Sequence, residues 1–531
     1  MSSNVATAIL IAGAGPAGLV LALALAQNGV KVRIIDKESF YRPGQRGAGM
    51  QPRTLEVLNY LGVLNDVLAK AIISPTQRRV YKLPGGTEPL KTVTMLQYDK
   101  PTPSTPIDNS EAILRAHLAK YGCSVELGTE LRDFEQHPDH VVVQLAKNDG
   151  VTEKIEILTC RFLVGTDGGR GVTRKKLGLT FQGETRAQHT LVGELEVFGL
   201  DRDYWHQWGD PSTLFCMMRP TENLNCFYVI IGGQIDFEKL QSNKEEFVKT
   251  IRAATDRQDL KFGELRWITD WRPNIRMANK FGEGRGFVAG DAAHVHSPTG
   301  GQGLNSSVQD SFNLAWKLTL VEKGLASPDL LDTYTEERLP VIAGMLQEST
   351  ALLNALERSS QGSNDDSAWK RGWALKQLGI NYCWSSIVVD ERAAEKPKEP
   401  PMSTAARRAV SSARAIALWT PQAYIFRPVH HTVLLFTSEA GATQPILEEL
   451  KYYPADSVKT VVVYPRETVN ASPVAGADIT VVDREGHAYT AYSASAEHPT
   501  TVIIRPDGVV GGIVFGLHGL KTYLKAVFSA I

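Results

Sequence analysis

Residues 6–36 read ATAILIAGAGPAGLVLALALAQNGVKVRIID, and this stretch decides the fold. Ala6–Ala12 is an apolar run suited to a short buried strand, and Gly13-Ala14-Gly15-Pro16-Ala17-Gly18 follows at once. Leu19–Gln27 then continues as an alanine- and leucine-rich helix, Gly29 ends it, and Val30–Ile35 reads as a second strand closed by Asp36. The unit is strand–GxGxxG–helix–strand–acid, the pattern of a dinucleotide-binding turn. Gly13 allows the tight turn, Gly15 lets backbone N–H groups approach a pyrophosphate, and Gly18 permits close helix–strand packing. Pro16 suits the first helical turn, whose N-terminus carries partial positive charge for phosphates. Asp36, with Lys37 beside it, is placed to meet a ribose diol. The same stretch holds nineteen uncharged residues, Ala8–Ala26, close to a membrane span in length. No Lys or Arg precedes it, and the glycine spacing explains it better than a span or a signal peptide does.

The rest of the composition fits that reading. The chain has 531 residues, enough for about three domains. Its 57 Lys+Arg balance 58 Asp+Glu, which argues against a nucleic-acid binder or a polybasic membrane patch. Five scattered cysteines with no CxxC pair suit a reducing, cytoplasmic setting without disulfides or a zinc site.

Two later segments narrow the nucleotide. Phe162–Gly168 is a buried strand ending in Asp167-Gly168, followed by Gly169-Arg170-Gly171-Val172-Thr173-Arg174. Far downstream, Gly286–Ala289 reads as a strand with Gly290-Asp291 at its tip. A Pro-Thr-Gly-Gly-Gln-Gly loop follows, and then a long amphipathic helix from Ser307. Such a loop turns backbone N–H groups and a helix N-terminus toward its neighbour, which suits the N1/O2 edge of a reduced flavin. Asp291 is well placed for a polyol hydroxyl.

These three motifs, GAGPAG with Asp36, VGTDGGRG, and AGDAAHVHSPTGGQGLN, make the chain resemble the class A flavoprotein monooxygenases. These are FAD-dependent aromatic hydroxylases related to p-hydroxybenzoate hydroxylase. The resemblance spans residues from about 6 to 340, ending in LLDTYTEERLPV (Leu330–Val341). It implies that Gly13, Gly15, Pro16, Ala17 and Gly18 hold the FAD pyrophosphate and that Asp36 holds the adenosine ribose. Arg46, in QRGAGMQPRTLEVL, matches the family arginine near the flavin, and Asp167 the acid linked to both FAD and NAD(P)H. Asp291, after Gly290, would bind the ribityl chain, and Pro298 would lie against the reactive flavin face. Gly301, Gly303, Leu304 and Asn305 would line the pyrimidine edge. Three positions depart from the pattern: Gly171 stands in the usual serine place, Ile107 where many relatives carry a glutamine, and Ala48 where phenol hydroxylases carry a catalytic aspartate. The last puts a copy of phenol-hydroxylase base chemistry in doubt.

The substrate side is less legible. Thr213–Met218 and Cys226–Ile231 read as neighbouring strands joined by RPTENLN, part of a sheet roofing the flavin. Tyr204, Trp205, His206, Trp208, Met218, Arg219, Phe227 and Tyr228 are candidate lining residues, although each aromatic or Met also suits ordinary sheet core. Arg219 reads either as a bidentate clamp for a carboxylate or as a solvated turn residue, and Tyr228 as its phenol partner. Beyond the linker Glu395–Pro401, the runs TVLLF, TVVVY, ITVV and TTVII match the thioredoxin-like domain that ends phenol-hydroxylase-type enzymes. No cysteine follows Cys383, so this tail has no dithiol chemistry, and packing or dimerisation is its expected work.

The expectation is an α/β protein with a Rossmann-like FAD-binding domain, a mixed-sheet substrate domain and a thioredoxin-like tail. Residues 1–78, 105–180 and 276–358 form the first, 79–104 and 181–275 the second, 359–430 a helical segment and linker, and 431–531 the tail. The implied activity is hydroxylation of a phenol or hydroxybenzoate with NADPH or NADH and O₂ through a flavin C4a-hydroperoxide. Electrophilic attack of that kind favours a ring carrying a hydroxyl or amino group. A rival is a flavoprotein that shelters a reactive aromatic intermediate without hydroxylating it. A flavin-dependent halogenase fits less well, because Trp267–Pro273 does not give a WxWxIP segment.

Overall fold

The computed structural model describes residues 6–42, 44, 49–73, 75–95, 103–104, 107–148, 150, 152–187, 189–297, 300–360, 373–397, 425–469 and 471–529. The glycine-rich stretch forms strand Thr7–Ala12, helix Pro16–Gln27 and strand Val32–Ile35, as its pattern predicts. Thr7–Ala12 lies between Val32–Ile35 and the long strand Glu153–Gly165, parallel to both. Gly286–Val288 extends the sheet beyond Glu153–Gly165, and Val125–Glu126 lies at the other side. A parallel sheet of this kind is buried on both faces, so its strands are nearly continuous apolar runs.

Helix Pro16–Gln27 packs against helices Gly303–Glu322 and Ile107–Ala119. Gly303–Glu322 corrects the sequence reading: it begins before Ser307 and is buried without interruption from Asn305 to Leu320, so it is not amphipathic. Two cores claim it. Val308, Phe312, Ala315 and Leu318 join the cluster around the first helix, whereas Trp316 and Leu320 join one with Leu520, Tyr523 and Leu524 of the tail.

The second sheet has seven strands in the order Lys261–Trp271, Thr190–Phe198, Cys226–Gly233, Leu214–Pro220, Trp205–Asp210, Gln77–Tyr81 and Pro89–Thr94. Leu214–Pro220 and Cys226–Gly233 pair antiparallel around the RPTENLN turn, as the sequence suggests. One face of this sheet is an ordinary core of Leu191, Leu195, Phe227, Val229 and Ile231, closed by Phe247 and Ile251 of helix Lys244–Thr255.

The tail forms a six-stranded sheet in which all four apolar runs are strands, joined by Val510–Val514 and by Val389–Asp390 from upstream. Its hairpin turn, Arg505–Gly508, is driven between the long helices Gly303–Glu322 and Asp332–Ser360. Arg505 donates to Glu337 at 2.7 and 2.9 Å, and Asn313 and Trp316 donate to Asp507 at 3.2 and 3.3 Å. Lys317 donates to Glu337 at 2.8 Å. Burial works to raise the Glu337 carboxyl, but Arg505 and Lys317 outweigh it and hold the group far below the ordinary range. The buried Lys317 ammonium is pushed down to about 8 by desolvation.

Candidate functional site

The carboxyl ends of the parallel strands open onto a cleft of about 450 Å³, where a doubly wound sheet places its ligand. Its wall brings together Gly13, Gly15, Asp36, Lys37, Asp167, Gly168 and Asp291 from four separate stretches of chain. Each glycine of the first turn has a separate reason. Gly13 has φ +106°, and a Cβ there would lie 2.4 Å from the Thr166 carbonyl oxygen. A Cβ on Gly18 would meet the Gly13 carbonyl oxygen at 2.1 Å, whereas one on Gly15 would stand in open space. A bare backbone therefore fronts the cleft at Gly15, the first turn of a helix behind it. Pro16, Ala17 and Gly18 lie in that turn rather than in the wall.

The acids around the cleft are held differently. Asp36 accepts from the Ala14 N–H at 2.8 Å and the Glu38 N–H at 3.0 Å, so it braces the glycine turn from below. Asp167 accepts from the Thr173 N–H and hydroxyl through Oδ2. Among the described residues its buried Oδ1 has no hydrogen-bond partner, and desolvation raises the carboxyl above the aspartate range. At position 171 a Cβ would fall 2.1 Å from Asp167 Oδ1, so a side chain there would require the Asp167 carboxylate to move. Asp291 opens onto the cleft, yet the surrounding protein desolvates its carboxyl and pushes it upward.

The Gly290-Asp291 turn is pinned by a residue that the sequence reading missed. Asp310, fully buried on helix Gly303–Glu322, accepts from the Gly290 N–H at 3.2 Å, His294 Nε2 at 2.6 Å and Arg338 Nε at 2.8 Å. Burial opposes its ionisation, but Arg338 and His294 overcome that and the net shift is downward. The signal was a lone carboxylate inside VQDSFNLAW, a helix too apolar to leave it in water. Asn305 is similarly committed. Its side chain accepts from the Gln51 N–H and the Thr54 hydroxyl, both at 2.7 Å, and donates to the Gly49 and Gly301 carbonyls. Any ligand contact at 305 must therefore come from backbone. Gly301 has φ +63°, and Gly303 and Leu304 begin the helix. Arg46, Ala48 and Pro298 lie outside the described residues.

The second face of the seven-stranded sheet reaches the cleft at one point, where Trp267 packs beside Gly44. Directly paired residues share a face, so the register defines a polar row: Trp267, Glu194, Tyr228 and Arg219. Trp205, paired with Arg78, continues it. The Arg219 guanidinium stands 4.5 Å from the Tyr228 ring centre and 5.6 Å from that of Trp205. Arg219 is only 7% exposed, which settles its sequence ambiguity against a solvated turn. Two residues further along each strand lies an apolar row, Val192, Ile230 and Met217. At the end of the polar row the Trp267 indole fills the space beside Gly44, where a Cβ would be 1.9 Å from its nitrogen, and Gly44 lines the cleft.

Four of the candidate lining residues are corrected by this register. His206, Trp208, Met218 and Phe227 point to the opposite face and pack in its core. There, burial holds the His206 imidazole down to about 4. Tyr204 is stacked under the Arg79 guanidinium. Glu194 was missed, although the alternation in TLVGELEVF sets it opposite the apolar Leu191, Leu195 and Val197.

Residues 6–349 match the family described as FAD binding domain. The chain belongs to this family. It is 36% identical over 397 residues to a flavin-dependent monooxygenase of Mycobacteroides abscessus, covering 72% of this chain and 80% of that protein. It is 31% identical over 413 residues to pentachlorophenol 4-monooxygenase of Sphingobium chlorophenolicum, covering 73% of each. The fold superposes on a ternary complex of aklavinone-11 hydroxylase with FAD and aklavinone. The TM-score is 0.77 at 25% identity, over 99% of this chain and 100% of that one. The protein is accordingly an FAD-dependent aromatic monooxygenase with a mixed α/β hydroxylase fold. The cleft suits FAD on its own terms: it offers an unobstructed glycine backbone at a helix N-terminus, a bracing acid just past the second strand, and, among the described residues, an unpartnered buried carboxylate oxygen at Asp167. Among the described residues no helix is long and apolar enough to cross a membrane.

Proposed function

We propose that this monooxygenase hydroxylates a phenolic or hydroxybenzoate-type ring, with NADPH or NADH as reductant and O₂ as the source of oxygen. FAD, when bound, supplies the oxygen-activating chemistry, and the protein's part is to hold and shield both rings. Gly13, Gly15, Pro16, Ala17 and Gly18 would hold the pyrophosphate, with Asp36 and Lys37 at the adenosine ribose. Asp167 and Gly168 would close the middle of the cleft. Gly290 and Asp291 would take the ribityl chain, and the backbone of Gly301, Gly303, Leu304 and Asn305 the pyrimidine edge. Arg46 and Pro298 would complete the flavin surround.

The observation that carries the reading is the Arg219–Tyr228 pair. A cation and a phenol, cross-strand neighbours on one face of the sheet, lie beside an apolar row of Val192, Ile230 and Met217. Burial raises the Tyr228 phenol above its ordinary range, with Arg219 opposing, so it remains a neutral donor at working pH. Arg219 would hold a substrate carboxylate or phenolate through its planar fork. The test is a panel of phenols and hydroxybenzoates, followed by NAD(P)H loss and by product mass under labelled O₂. Substrate-stimulated oxidation with one labelled oxygen in the product is the expected result. Binding without oxygen incorporation would favour a sheltering flavoprotein.

A further inference from the structure

We propose that Gln377 is a positioning residue for the flavin: its side chain fixes Gln302, and through it the glycine loop Gly300–Gly303, against the pyrimidine edge of FAD. The inference rests on the placement of that loop proposed above. Gln377 follows the short turn Trp373–Lys376, in a stretch that the sequence reads as part of a helical linker. Its amide is nevertheless buried and fully used. Nε2 donates to Gln302 Oε1 at 2.6 Å and to the Ser306 hydroxyl at 3.2 Å, and Oε1 accepts from Gln309 Nε2 at 2.5 Å. Residues 302, 306 and 309 are spaced four and three apart, so this one side chain spans a single face of the opening turns of Gly303–Glu322.

The three glutamine amides run head to tail. Gln302 carries the chain onward, donating to the Gly300 carbonyl at 2.9 Å and the Leu375 carbonyl at 3.2 Å. Bonds aligned in this way polarise one another, and removing the middle amide strands a buried donor on one side and a buried acceptor on the other. Leu375 adds packing, since a Cβ on Gly300 would meet its Cδ2 at 3.4 Å. Gly300 and Gly301 have φ of +88° and +63°, two successive glycines with wide conformational freedom, so the loop takes its fixed shape from these neighbours.

The backbone of Gln377 is a second, independent observation. Its φ is +58°, in the left-handed region that glycine occupies freely and glutamine only at a cost. If residue 377 had only to turn the chain, glycine would serve better. The strain is offset by the side-chain bonds, so the position is built around the amide rather than around the turn. Charge collects on the N1/O2 edge when a flavin is reduced, and N–H groups held at that edge stabilise the reduced form more than the oxidised one. Fixing the loop therefore sets how readily the cofactor accepts electrons, and not only how tightly it binds.

The test uses the FAD-loaded enzyme, with FAD affinity read by fluorescence titration and the flavin potential by anaerobic equilibration with a reference dye. Gln377→Gly removes the amide while easing the backbone. It should lower the preference for reduced over oxidised FAD by about three- to tenfold, the scale of one hydrogen bond. For a two-electron couple that moves the potential about 15–30 mV more negative. A merely structural residue would weaken both redox forms alike and leave the potential in place, and that result overturns the proposal. Where the glycine variant fails to retain flavin, Gln377→Asn decides. Asparagine tolerates the left-handed backbone and keeps an amide, but is one methylene too short to bridge Gln302 and Gln309, so the same negative shift is expected. Gly301→Val disturbs the loop directly and separates the two readings. A shift with Gly301→Val but none with either Gln377 variant overturns the positioning role and leaves the loop at the flavin. No shift with any of the three overturns both the role and the placement.

Discussion

Replacing Arg505 by Met tests whether the tail is part of the flavin fold or an appendage to it. Arg505 is fully buried and makes two hydrogen bonds to Glu337 and two to Asp507, while Lys317 gives Glu337 a second cation. The four charges sum to zero. Without Arg505 the site holds two carboxylates against one ammonium that burial already holds down to about 8. Removing one partner of a buried pair costs about 3–5 kcal/mol, because the partner left behind is stranded away from water. The loss should appear as a lower urea midpoint, with flavin released in the same transition because Gly303–Glu322 serves both cores. The double variant Arg505→Met, Glu337→Met restores charge balance and should recover about half of the loss or more. A single-variant change under about 1 kcal/mol, or flavin release well separated from unfolding, would refute the coupling.

Other consequences are open to direct measurement. Asp291→Ala removes the acid at the cleft's strand tip and should weaken FAD retention by about 1–3 kcal/mol, read as flavin content and apparent Kd; undiminished affinity would place the ribityl chain elsewhere. Arg219→Met should weaken hydroxybenzoates by about 1.5–3 kcal/mol and neutral phenols much less, leaving the flavin spectrum unchanged. Equal losses for both classes would dismiss it as a selector. Burial depresses His206 and His430 to about 4 and His431 to about 3, so the unfolded chain binds protons that the folded chain refuses. Stability should therefore fall as pH drops from about 6.5 toward 4, by roughly 1–3 kcal/mol per group. His431, packed among the rings of Trp316, Tyr523 and Phe528, offers the control. His431→Phe should flatten part of the acid slope in unfolding experiments at pH 7 and 5.

The flavin side of this molecule is legible in its sequence because backbone does the work there. Gly13 and Gly18 are constrained by contacts that only glycine satisfies, Gly15 leaves bare backbone at the cleft, and together they leave a spaced signature. The substrate side is written in sheet register, which a single sequence conceals. In TLFCMMR both parities carry large side chains, so nothing in the letters says that Cys216 and Met218 face the core while Met217 and Arg219 lie on the opposite face. His206, Trp208 and Phe227 misled for the same reason. Arg219 sits beside Pro220 and a turn, where exposure is the ordinary outcome, and only its pairing with Tyr228 reverses it. Burial of Gly303–Glu322 on all sides was hidden because Asp310, Asn313 and Lys317 imitate a solvent face; their partners come from residues as distant as Asp507.

The contact between Trp267 and Gly44 has a consequence for anyone recombining these enzymes. Swapping the seven-stranded sheet between relatives is an obvious way to alter the aromatic ring accepted. Here the graft has a hidden second seam, because the indole occupies the volume of the missing side chain at residue 44, more than two hundred positions upstream. A donor sheet with a smaller residue at 267 would leave a hole over the cleft. A recipient with alanine at 44 would have to adopt φ near +100° and displace the indole as well. Working chimeras must therefore carry the two segments as one transplant.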